Sequence, residues 1–177
     1  MSPTDVLDFW RAAGRERWFR KDDAFDTEFR SRFLSAHEAP ARGELDAWQS
    51  SAEGALALLI LLDQFPRNCF RATPRMYATD AKAREVARAA VAAGFDKQVE
   101  QQLRGFLYLP FMHSESLADH DLSVQLNEAV GGEPLRYAKH HRAIIERFGR
   151  FPHRNAILGR ANTPEEETFL QEGGFAG

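Results

Sequence analysis

FGRFPHRNAILGR, residues 148–160, is the stretch around which the chain is organised. Seven basic residues lie between Arg136 and Arg160, with three histidines and a single acid, Glu146, although the net charge of the whole chain is -3. Within this stretch, the motif Phe-Pro-His-Arg-Asn at residues 151–155 repeats the earlier Phe-Pro-Arg-Asn at residues 65–68, with one histidine inserted. Basic charge is therefore concentrated in one segment, on a motif that occurs twice.

Proline follows an apolar helical pattern in both copies of this motif. A proline lacks the backbone N–H that a helix interior uses, and it disfavours helical conformation at the residue before it. Both prolines are therefore predicted to stop a helix. Two helix ends would then each present an arginine and an asparagine.

Composition indicates a soluble globular protein. The chain has 177 residues, 44% hydrophobic and 28% charged, which is ordinary for such proteins. This length can bury a real core, and no linker interrupts it, so a single domain over residues 1–177 is predicted. The longest apolar run, residues 55–62, is far shorter than the ~20 residues that span a bilayer. No apolar signal segment is recognised either, so no membrane association is predicted.

Charge and cysteine content narrow the location and the partners further. Cys69 is the single cysteine, which excludes an intramolecular disulfide and fits the reducing cytosol, so a cytoplasmic protein is predicted. The pI of about 6.1 lies well below the value of ~9 that is typical of nucleic-acid-binding domains. Nucleic acid is therefore not an expected partner. The sequence does not decide the oligomeric state.

Helix-start signals recur along the chain. Ser2 is predicted to cap a first helix, and Asp22 a second, in which phenylalanines recur every four residues at positions 25, 29 and 33 and so share one helix face. Ser50 and Glu53 form a predicted capping box. The helix that they open runs to Phe65, is apolar nearly all round, and is therefore expected to be buried on all sides.

The second half of the chain continues the helical pattern. Pro110 is predicted to stop a helix, Ser114 to cap the next one with Glu115 in its first turn, and Thr163 to cap a last helix with Glu166 at its third position. Apolar residues recur at spacings of three and four rather than two, so no strand is predicted. The chain is predicted to be all-α, built of successive antiparallel helix hairpins.

Three segments carry a resemblance to a known family. They are Leu-Asp-Gln-Phe-Pro-Arg-Asn at residues 62–68, Tyr-Leu-Pro-Phe-Met-His-Ser-Glu at residues 108–115, and residues 148–160. Together they resemble the bacterial family known as domain of unknown function 924, and the similarity extends over nearly the whole chain. The resemblance implies a helical fold similar to a tetratricopeptide-like superhelical array, and it implies no activity. His120 stands where that family's pattern has glutamine.

Arginine and asparagine in the two motifs indicate an anion site. Guanidinium groups hold carboxylate or phosphate bidentately, and asparagine adds a neutral donor and acceptor. Backbone amides at a helix start after Pro152 would add to such a site. The predicted ligand-binding residues are Asp63, Gln64, Arg67, Asn68, Arg71, Ser114, Arg150, Arg154, Asn155 and Arg160. The alternative is structural, since the same arginines could pair with carboxylates and only fasten helix ends. The carboxylates available for that role are Asp63, Asp80, Glu115 and Glu146.

His113, Glu115 and His153 are the predicted catalytic residues. Histidine titrates near neutrality, and a carboxylate can orient or charge it. A metal site that also uses His141 is the alternative, but no two of these ligands have the i, i+4 spacing of a helical metal motif. No metal and no cofactor are predicted. His141 is expected to be a hydrogen-bonded core histidine, and Cys69 a small buried residue rather than a nucleophile.

Both Phe-Pro motifs and the His-Ser-Glu segment at residues 113–115 are predicted to converge on one polar pocket. The predicted function is binding of a small anionic ligand, with hydrolase or transferase chemistry as an option that the sequence leaves open. The alternative is a non-enzymatic, tetratricopeptide-like scaffold that binds a peptide or protein partner. Exposed aromatic side chains would mark that scaffold, and the candidates are Trp18, Phe19 and Trp48.

Overall fold

All regular structure in the part of the chain that the structure describes is helical, which confirms the all-α prediction. The computed structural model describes residues 1–175, except for the side chain of Ala41. Ala176 and Gly177, which belong to the predicted domain, lie outside the described residues. The helices are α1 (Pro3–Ala13), α2 (Arg15–Trp18), α3 (Asp23–Glu38), α4 (Ala52–Leu59), α5 (Phe65–Cys69), α6 (Asp80–Ala92), α7 (Gly105–Met112), α8 (Leu117–Glu128), α9 (Gly132–Phe148), α10 (Asn155–Leu158) and α11 (Pro164–Gln171).

The chain packs as two compact units. Unit 1 comprises Met1–Arg71 and Arg75–Pro110, and unit 2 comprises Ala72–Pro74 with the described residues from Phe111 onward. The expectation of a single domain over residues 1–177 stays a prediction. Among the described helices, none has both the length and the apolar character needed to cross a membrane.

Three of the predicted helix starts are confirmed. Ser2 and Asp5 form a reciprocal capping box at the start of α1, and Asp22 accepts a backbone N–H of α3 through its side chain. Thr163 and Glu166 form the same kind of box at the start of α11. In each case a short polar side chain satisfies N–H groups that have no partner inside the helix, so the local sequence alone determines where the helix begins.

The capping box predicted at Ser50 and Glu53 is wrong. Ser51 caps α4 instead, with extended backbone angles (φ -138°, ψ 156°) and a side chain that accepts a backbone N–H of the helix. Ser50 belongs to the preceding 3-10 turn Asp46–Ser50 and donates its hydroxyl to the carbonyl of Ala47 at 2.7 Å. A residue that is already inside a helical turn cannot take the extended conformation of an N-cap.

Unit 1 is built on the apolar faces that the sequence predicted. Phe9 of α1 packs on the phenylalanine face of α3, with ring-centroid distances of 5.1–5.2 Å to Phe25, Phe29 and Phe33. Every residue from Gly54 to Leu62 is buried, which confirms that this helix is enclosed on all sides. Burial of a large aliphatic side chain contributes about 1.5–3 kcal/mol, so this run supplies much of the unit's stability.

The prediction that Pro66 stops the apolar helix is wrong. Phe65 is helical (φ -51°, ψ -51°), and the chain passes from α4 through a single π turn, Ile60–Gln64, directly into α5. Pro66 occupies the first turn of α5, a position where a missing N–H does little harm. The π turn thus accommodates the proline without ending the helical path.

Side chains from elsewhere in unit 1 satisfy carbonyls near Pro66. A proline nitrogen cannot donate to the carbonyls one turn before it, those of Leu61 and Leu62. His37 contacts the carbonyl of Leu61 through Nδ1 at 2.9 Å, so this nitrogen carries the proton, and the hydroxyl of Thr79 donates to the carbonyl of Leu62 at 2.5 Å. These two donors let the helix continue.

The predictions for Pro110 and Ser114 are also wrong. α7 continues through Pro110. A proline inside a helix lowers stability by about 3 kcal/mol, but burial of almost all the other large side chains of α7 offsets this cost. Ser116, not Ser114, stands at the N-cap of α8. The hydroxyl of Ser114 donates to a carboxylate oxygen of Asp119 at 2.6 Å instead.

Candidate functional site

The second Phe-Pro motif follows a glycine turn in unit 2. α9 ends at Phe148, and Gly149 takes a left-handed conformation (φ 69°) that glycine adopts without strain. Phe151 is extended (φ -89°, ψ 109°), and Pro152 opens a 3-10 turn that leads into α10. Glycine rather than proline therefore ends the helix, while the helix start predicted after Pro152 is confirmed.

Glu115 joins the His-Ser-Glu segment to this motif. Arg160 donates to both of its carboxylate oxygens, at 2.7 and 2.9 Å, and the backbone N–H of Phe151 donates to Oε1 at 2.9 Å. Burial raises the pKa of Glu115, but these donors outweigh it, and the pKa lies below its ordinary value. Glu115 is therefore an ionised acceptor in unit 2 and not a cap of α8.

Arg154 and His120 hold the backbone of the same segment. Arg154, which is 7% exposed, donates from Nη2 to the carbonyl of His113 at 2.8 Å. The carbonyl of Ser114 accepts a hydrogen bond from Nε2 of His120 at 2.7 Å. The guanidinium of Arg154 also lies 4.5 Å from the ring centroid of Phe151. The second motif and α8 together thus fix the position of residues 113–115.

Arg150 is bound along one edge and open along the other. Its Nε and Nη2 donate to the two carboxylate oxygens of Glu166, at 2.6 and 2.8 Å. Arg150, then the backbone N–H of Thr163 and the amide of Asn155, lower the pKa of Glu166 to about 2 although burial opposes them. The side chain of Arg150 is 29% exposed, and within the described chain no residue hydrogen-bonds to its Nη1.

Three histidines surround the ring of Phe151. The ring centroids of His120, His141 and His153 lie 5.8, 5.8 and 5.4 Å from it. Burial lowers the pKa of all three, to about 3 for His141 and about 4 for His153, where the guanidinium of Arg154 lowers it further. These imidazoles are therefore neutral at pH 7.

Some polar atoms in this cluster lack partners. Among the described residues, nothing hydrogen-bonds to the buried Nδ1 atoms of His120 and His153 or to the hydroxyl of Ser123. His141, by contrast, donates from Nδ1 to the carbonyl of Tyr137 at 2.8 Å, as expected of a core histidine. Leaving a buried polar atom unpaired costs about 1–3 kcal/mol, so such atoms commonly mark the position of a water or a ligand.

Sequence reasoning missed part of this cluster. Asp119, His120 and Glu166 are at most 3% exposed, yet none was among the predicted site residues. The spacing of His120, Ser123 and Asn127 places them on one face of α8, and all three are buried. A polar stripe on a buried helix face was thus the available signal. Glu166 was recognised as a cap, and it proves also to be the partner of Arg150.

The first Phe-Pro motif lies in unit 1, where carboxylates neutralise its arginine. Arg67 donates to both carboxylate oxygens of Asp80, at 2.9 and 3.0 Å, and lies 3.1 Å from a carboxylate oxygen of Asp63. Burial lowers the pKa of Arg67, but the two carboxylates have the larger effect, so the pKa is raised overall. Gln64 donates to Asp63 at 2.7 Å. Asp63 and Gln64 are at most 5% exposed, so they face the interior of unit 1.

Asn68 and Arg71 share Asp26 as their acceptor. Asn68 donates from Nδ2 at 2.7 Å and Arg71 from Nε at 3.0 Å, each to a different carboxylate oxygen. Both side chains line an open cleft of about 400 Å³ in unit 1. These two predicted ligand-binding residues thus border a cavity.

The structural alternative for the motif arginines is visible in the ion pairs. Three of the four carboxylates proposed for that role pair with a motif arginine, namely Asp63, Asp80 and Glu115. Glu146 pairs with Arg142 at 2.8 Å instead. The first motif lies in unit 1 and the second, with residues 113–115, in unit 2, so their convergence on one pocket stays a prediction.

Two observations bear on the alternatives of metal and thiol chemistry. Within residues 1–175, no three His, Cys, Asp or Glu side chains are grouped so that they could hold a metal ion. Burial, reinforced by the carboxylate of Asp26, raises the pKa of the Cys69 thiol to about 12. Because the thiolate is the nucleophilic form, the raised pKa disfavours nucleophilic chemistry at Cys69 near neutral pH, although the residue is partly buried and not fully buried as expected.

Comparisons with known proteins place the chain in a family. It is similar to a solved protein of unknown function from Agrobacterium tumefaciens, with 54% sequence identity over 97% of each chain and a TM-score of 0.95. No curated protein matched the chain significantly. The profile of a family described as bacterial protein of unknown function (DUF924) matches residues 6–174. The chain therefore belongs to the bacterial family domain of unknown function 924.

Proposed function

We propose that this protein binds a small anionic ligand, carrying phosphate or carboxylate, in unit 2, and that it acts on the ligand by hydrolysis or group transfer in the cytoplasm. The site is the cluster formed by residues 113–115 and the second motif. His113, Glu115 and His153 are its proposed catalytic residues. Its proposed ligand-binding residues are Ser114, Arg150, Arg154, Asn155 and Arg160.

His153 carries the proposal. Its buried Nδ1 has no hydrogen-bond partner among the described residues, and the guanidinium groups of Arg154 and Arg160 are close enough to lower its pKa. Arg150 and Arg160 are 29% and 25% exposed, and Arg150 keeps Nη1 outside its pair with Glu166. An anion at this position could accept charge-assisted hydrogen bonds from guanidinium and imidazole together.

Anion binding would change the protonation of His153. A negative charge beside the ring favours the imidazolium form, so the pKa would rise from about 4 toward the range in which histidine exchanges protons at neutral pH. The facing groups are the carboxylate of Glu115, which already favours the charged ring, and Arg154, Arg160 and His113, which oppose it. Binding would therefore take up a proton, and affinity should increase as the pH falls.

Calorimetric titration with inorganic phosphate and with citrate, at fixed ionic strength, tests this proposal. We expect tighter binding at about pH 5.5 than at about pH 7.5, and His153→Asn should weaken binding at least ~10-fold, or about 1.4 kcal/mol. His140→Asn is the matched control, because His140 is an exposed histidine in the same unit. Equal affinity in the wild type and in both variants would show that His153 does not contact the anion.

The predicted ligand-binding residues of unit 1 belong to a separate part of the proposal. Asn68 and Arg71 have the better support, because they line the open cleft. Asp63 and Gln64 are buried and Arg67 is partly buried, and the three are hydrogen-bonded to one another or to Asp80, an arrangement that equally favours the structural alternative.

A partner-binding scaffold is the second candidate, favoured by one aromatic side chain. Phe19 is 67% exposed, although it stacks on Phe106 with the ring centroids 5.8 Å apart. Trp18 is only 6% exposed and Trp48 is partly buried, so Phe19 is the best anchor of the three candidates. In this version the helices form a tetratricopeptide-like array of antiparallel hairpins whose surface binds an acidic peptide. Peptide binding that Phe19→Ser abolishes, with no phosphate or citrate binding, would favour the scaffold.

A further inference from the structure

Unit 1 has an open cleft beside α3, separate from the residues of the site proposed in unit 2. The cleft has a volume of about 400 Å³, within the range of ~300–1,000 Å³ that small-molecule sites occupy. Three cationic side chains line it, Lys21, Arg30 and Arg71, against two carboxylates, Asp23 and Asp26. The lining therefore has a formal charge of +1, in a chain whose net charge is -3.

Arg71 is anchored in a way that leaves its outer edge open. Its Nε donates to Asp26 at 3.0 Å, and among the described residues nothing hydrogen-bonds to its two Nη atoms. The side chain is 37% exposed. An arginine held by Nε presents the planar Nη pair in a fixed direction, which suits bidentate binding of a phosphate.

Arg30 supplies charge that no carboxylate neutralises within the described part of the chain. Its guanidinium lies 5.4 Å from the ring centroid of Phe70, a cation–π distance, and the side chain is exposed. Lys21 is also exposed, and its ammonium lies 3.4 Å from Asp23. The positive charge of the cleft is therefore accessible from solvent.

The remaining lining atoms suit hydroxyl groups. Asp26 already accepts from Asn68 and Arg71, but each carboxylate oxygen can accept a further hydrogen bond. Asp23 is exposed, and the hydroxyl of Thr27 lies on the same wall. Carboxylate, amide and hydroxyl groups next to cations match a ligand that carries both hydroxyls and a phosphate. Cys69 also lines the cleft, but its raised pKa of about 12 excludes a thiolate there.

We infer that this cleft binds a phosphorylated polyol, such as a sugar phosphate, with Lys21, Arg30 and Arg71 on the phosphate and Asp23, Asp26 and Asn68 on the hydroxyls. The site lies in unit 1 alone and does not depend on the ligand proposed for unit 2. It extends the predicted pair Asn68 and Arg71 by two cations that the sequence analysis did not select.

Binding of glucose 6-phosphate, inorganic phosphate and glucose, each measured by calorimetry, tests this inference. We expect glucose 6-phosphate to bind at least ~10-fold more tightly than phosphate, since hydroxyl contacts add about 1.4 kcal/mol or more, and glucose alone to show no binding. Arg30→Gln with Arg71→Gln should weaken glucose 6-phosphate binding at least ~10-fold. Arg136→Gln is the matched control, because Arg136 is an exposed arginine of unit 2.

Two further results separate this site from the one proposed in unit 2. Glucose 6-phosphate should shift the NMR signals of the Asn68 side-chain amide in the wild type and equally in His153→Asn, and this shift should be lost in the double variant. Circular dichroism checks that the double variant is folded, and Arg30→Lys, which keeps the charge, should retain most of the affinity. Equal binding of phosphate and glucose 6-phosphate, full binding by the double variant, or loss of the Asn68 signal shift in His153→Asn would overturn the inference.

Discussion

The two Phe-Pro motifs share a sequence and differ in conformation. In the first copy, Phe65 is helical and Pro66 lies on the continuous path from α4 into α5. In the second, Phe151 is extended and Pro152 opens a new turn after the left-handed Gly149. The residues that precede the motif and the donors that surround it therefore decide its conformation, and the motif itself does not.

The backbone of each copy is satisfied by different side chains. His37 and Thr79 donate to the carbonyls that precede Pro66. In the second copy, side chains pair with the backbone of the motif itself. Glu115 accepts a hydrogen bond from the N–H of Phe151, and Arg160 donates to the carbonyl of Phe151 at 3.2 Å. The same dipeptide is thus compatible with a helix interior or with a helix start, depending on its partners.

Both copies hold their own arginine largely away from solvent, since Arg154, the counterpart of Arg67, is 7% exposed, but the arginines that flank the second copy differ. Arg67 is 13% exposed and sits between two carboxylates in unit 1. Arg150 and Arg160 each pair with a single carboxylate and remain about twice as exposed. The first copy therefore has the character of a structural ion-pair network, whereas the arginines that flank the second copy retain donor groups near the solvent, where a ligand could reach them.

Removal of Arg67 should have the largest effect on stability. Arg67→Met leaves two buried carboxylates, Asp63 and Asp80, without their cation, which costs about 3–5 kcal/mol. Arg160→Met should lower the free energy of unfolding by less, about 1–3 kcal/mol. Glu115 would still accept the N–H of Phe151, and its side chain is partly exposed to solvent. Urea unfolding followed by circular dichroism measures both. Equal losses would remove the contrast between the two copies.

Acid should weaken unit 2 more than unit 1. The folded-state pKa values of His141 and His153 lie near 3 and 4, below the ordinary value of about 6.5, so the unfolded chain takes up protons first. Stability is therefore present above pH 6.5 and is lost as the pH falls toward those folded values. At about pH 5, each of these two histidines should lower the free energy of unfolding by up to about 2 kcal/mol relative to neutral pH.

Hydrogen exchange resolves this effect by unit. The histidine of unit 1 is His37, whose pKa is also lowered by burial, whereas unit 2 holds the other five of the six histidines. Exchange rates are first corrected for the intrinsic effect of pH. Between neutral pH and about pH 5, the protection of backbone amides should then fall more in unit 2 than in unit 1. Equal loss in the two units would show that the buried histidines of unit 2 do not resist protonation in the folded state.

Thr79→Val tests how the first copy tolerates its proline. The substitution removes the hydroxyl that donates to the carbonyl of Leu62 and should cost about 1–2 kcal/mol, because a buried carbonyl is left unpaired. Thr79→Ser, which keeps the hydroxyl, should lose much less. Thermal unfolding of the two variants gives the comparison, and a loss in Thr79→Ser with little or none in Thr79→Val would mean that the methyl group, not the hydrogen bond, matters.

Gly149→Ala should have the smallest effect. The left-handed backbone of Gly149 (φ 69°) strains any residue with a Cβ by about 1 kcal/mol, although no atom lies within 4 Å of the position that a Cβ would occupy. Gly105→Ala is the matched control, since Gly105 has open space and no left-handed φ. Urea unfolding should show a loss in the first variant and none in the second.

Local chemistry accounts for the parts of the fold that the sequence predicted correctly. Ser2, Asp22 and Thr163 cap their helices with partners only three residues away, so a short window of sequence contains the whole interaction. Pro66 and Ser114 were misread because their partners lie elsewhere. Thr79 donates a hydrogen bond to the carbonyl of Leu62 before Pro66, and Asp119 accepts one from the hydroxyl of Ser114. No rule of sequence spacing indicates these partners.

In the candidate site as well, residue types could be predicted from the sequence and their distant partners could not. The sequence selected His113, Glu115 and His153 by residue type, and unit 2 brings all three into one electrostatic neighbourhood. It could not reveal that Arg160 holds Glu115 or that Glu166 holds Arg150, because those pairs span 45 and 16 residues. Charge partners at such separations follow from packing, which residue type and spacing do not encode.

NMR titration of His153, with and without inorganic phosphate, tests the central claim most directly. We expect a pKa near 4 in the free protein and a rise of at least about one unit when phosphate binds, since a shift of one unit corresponds to about 1.4 kcal/mol of added interaction with the charged ring. His140→Asn, which removes an exposed histidine of the same unit, should leave the titration of His153 unchanged. A free-state pKa near 6.5, or a value that phosphate leaves unchanged, would contradict an anion site at His153.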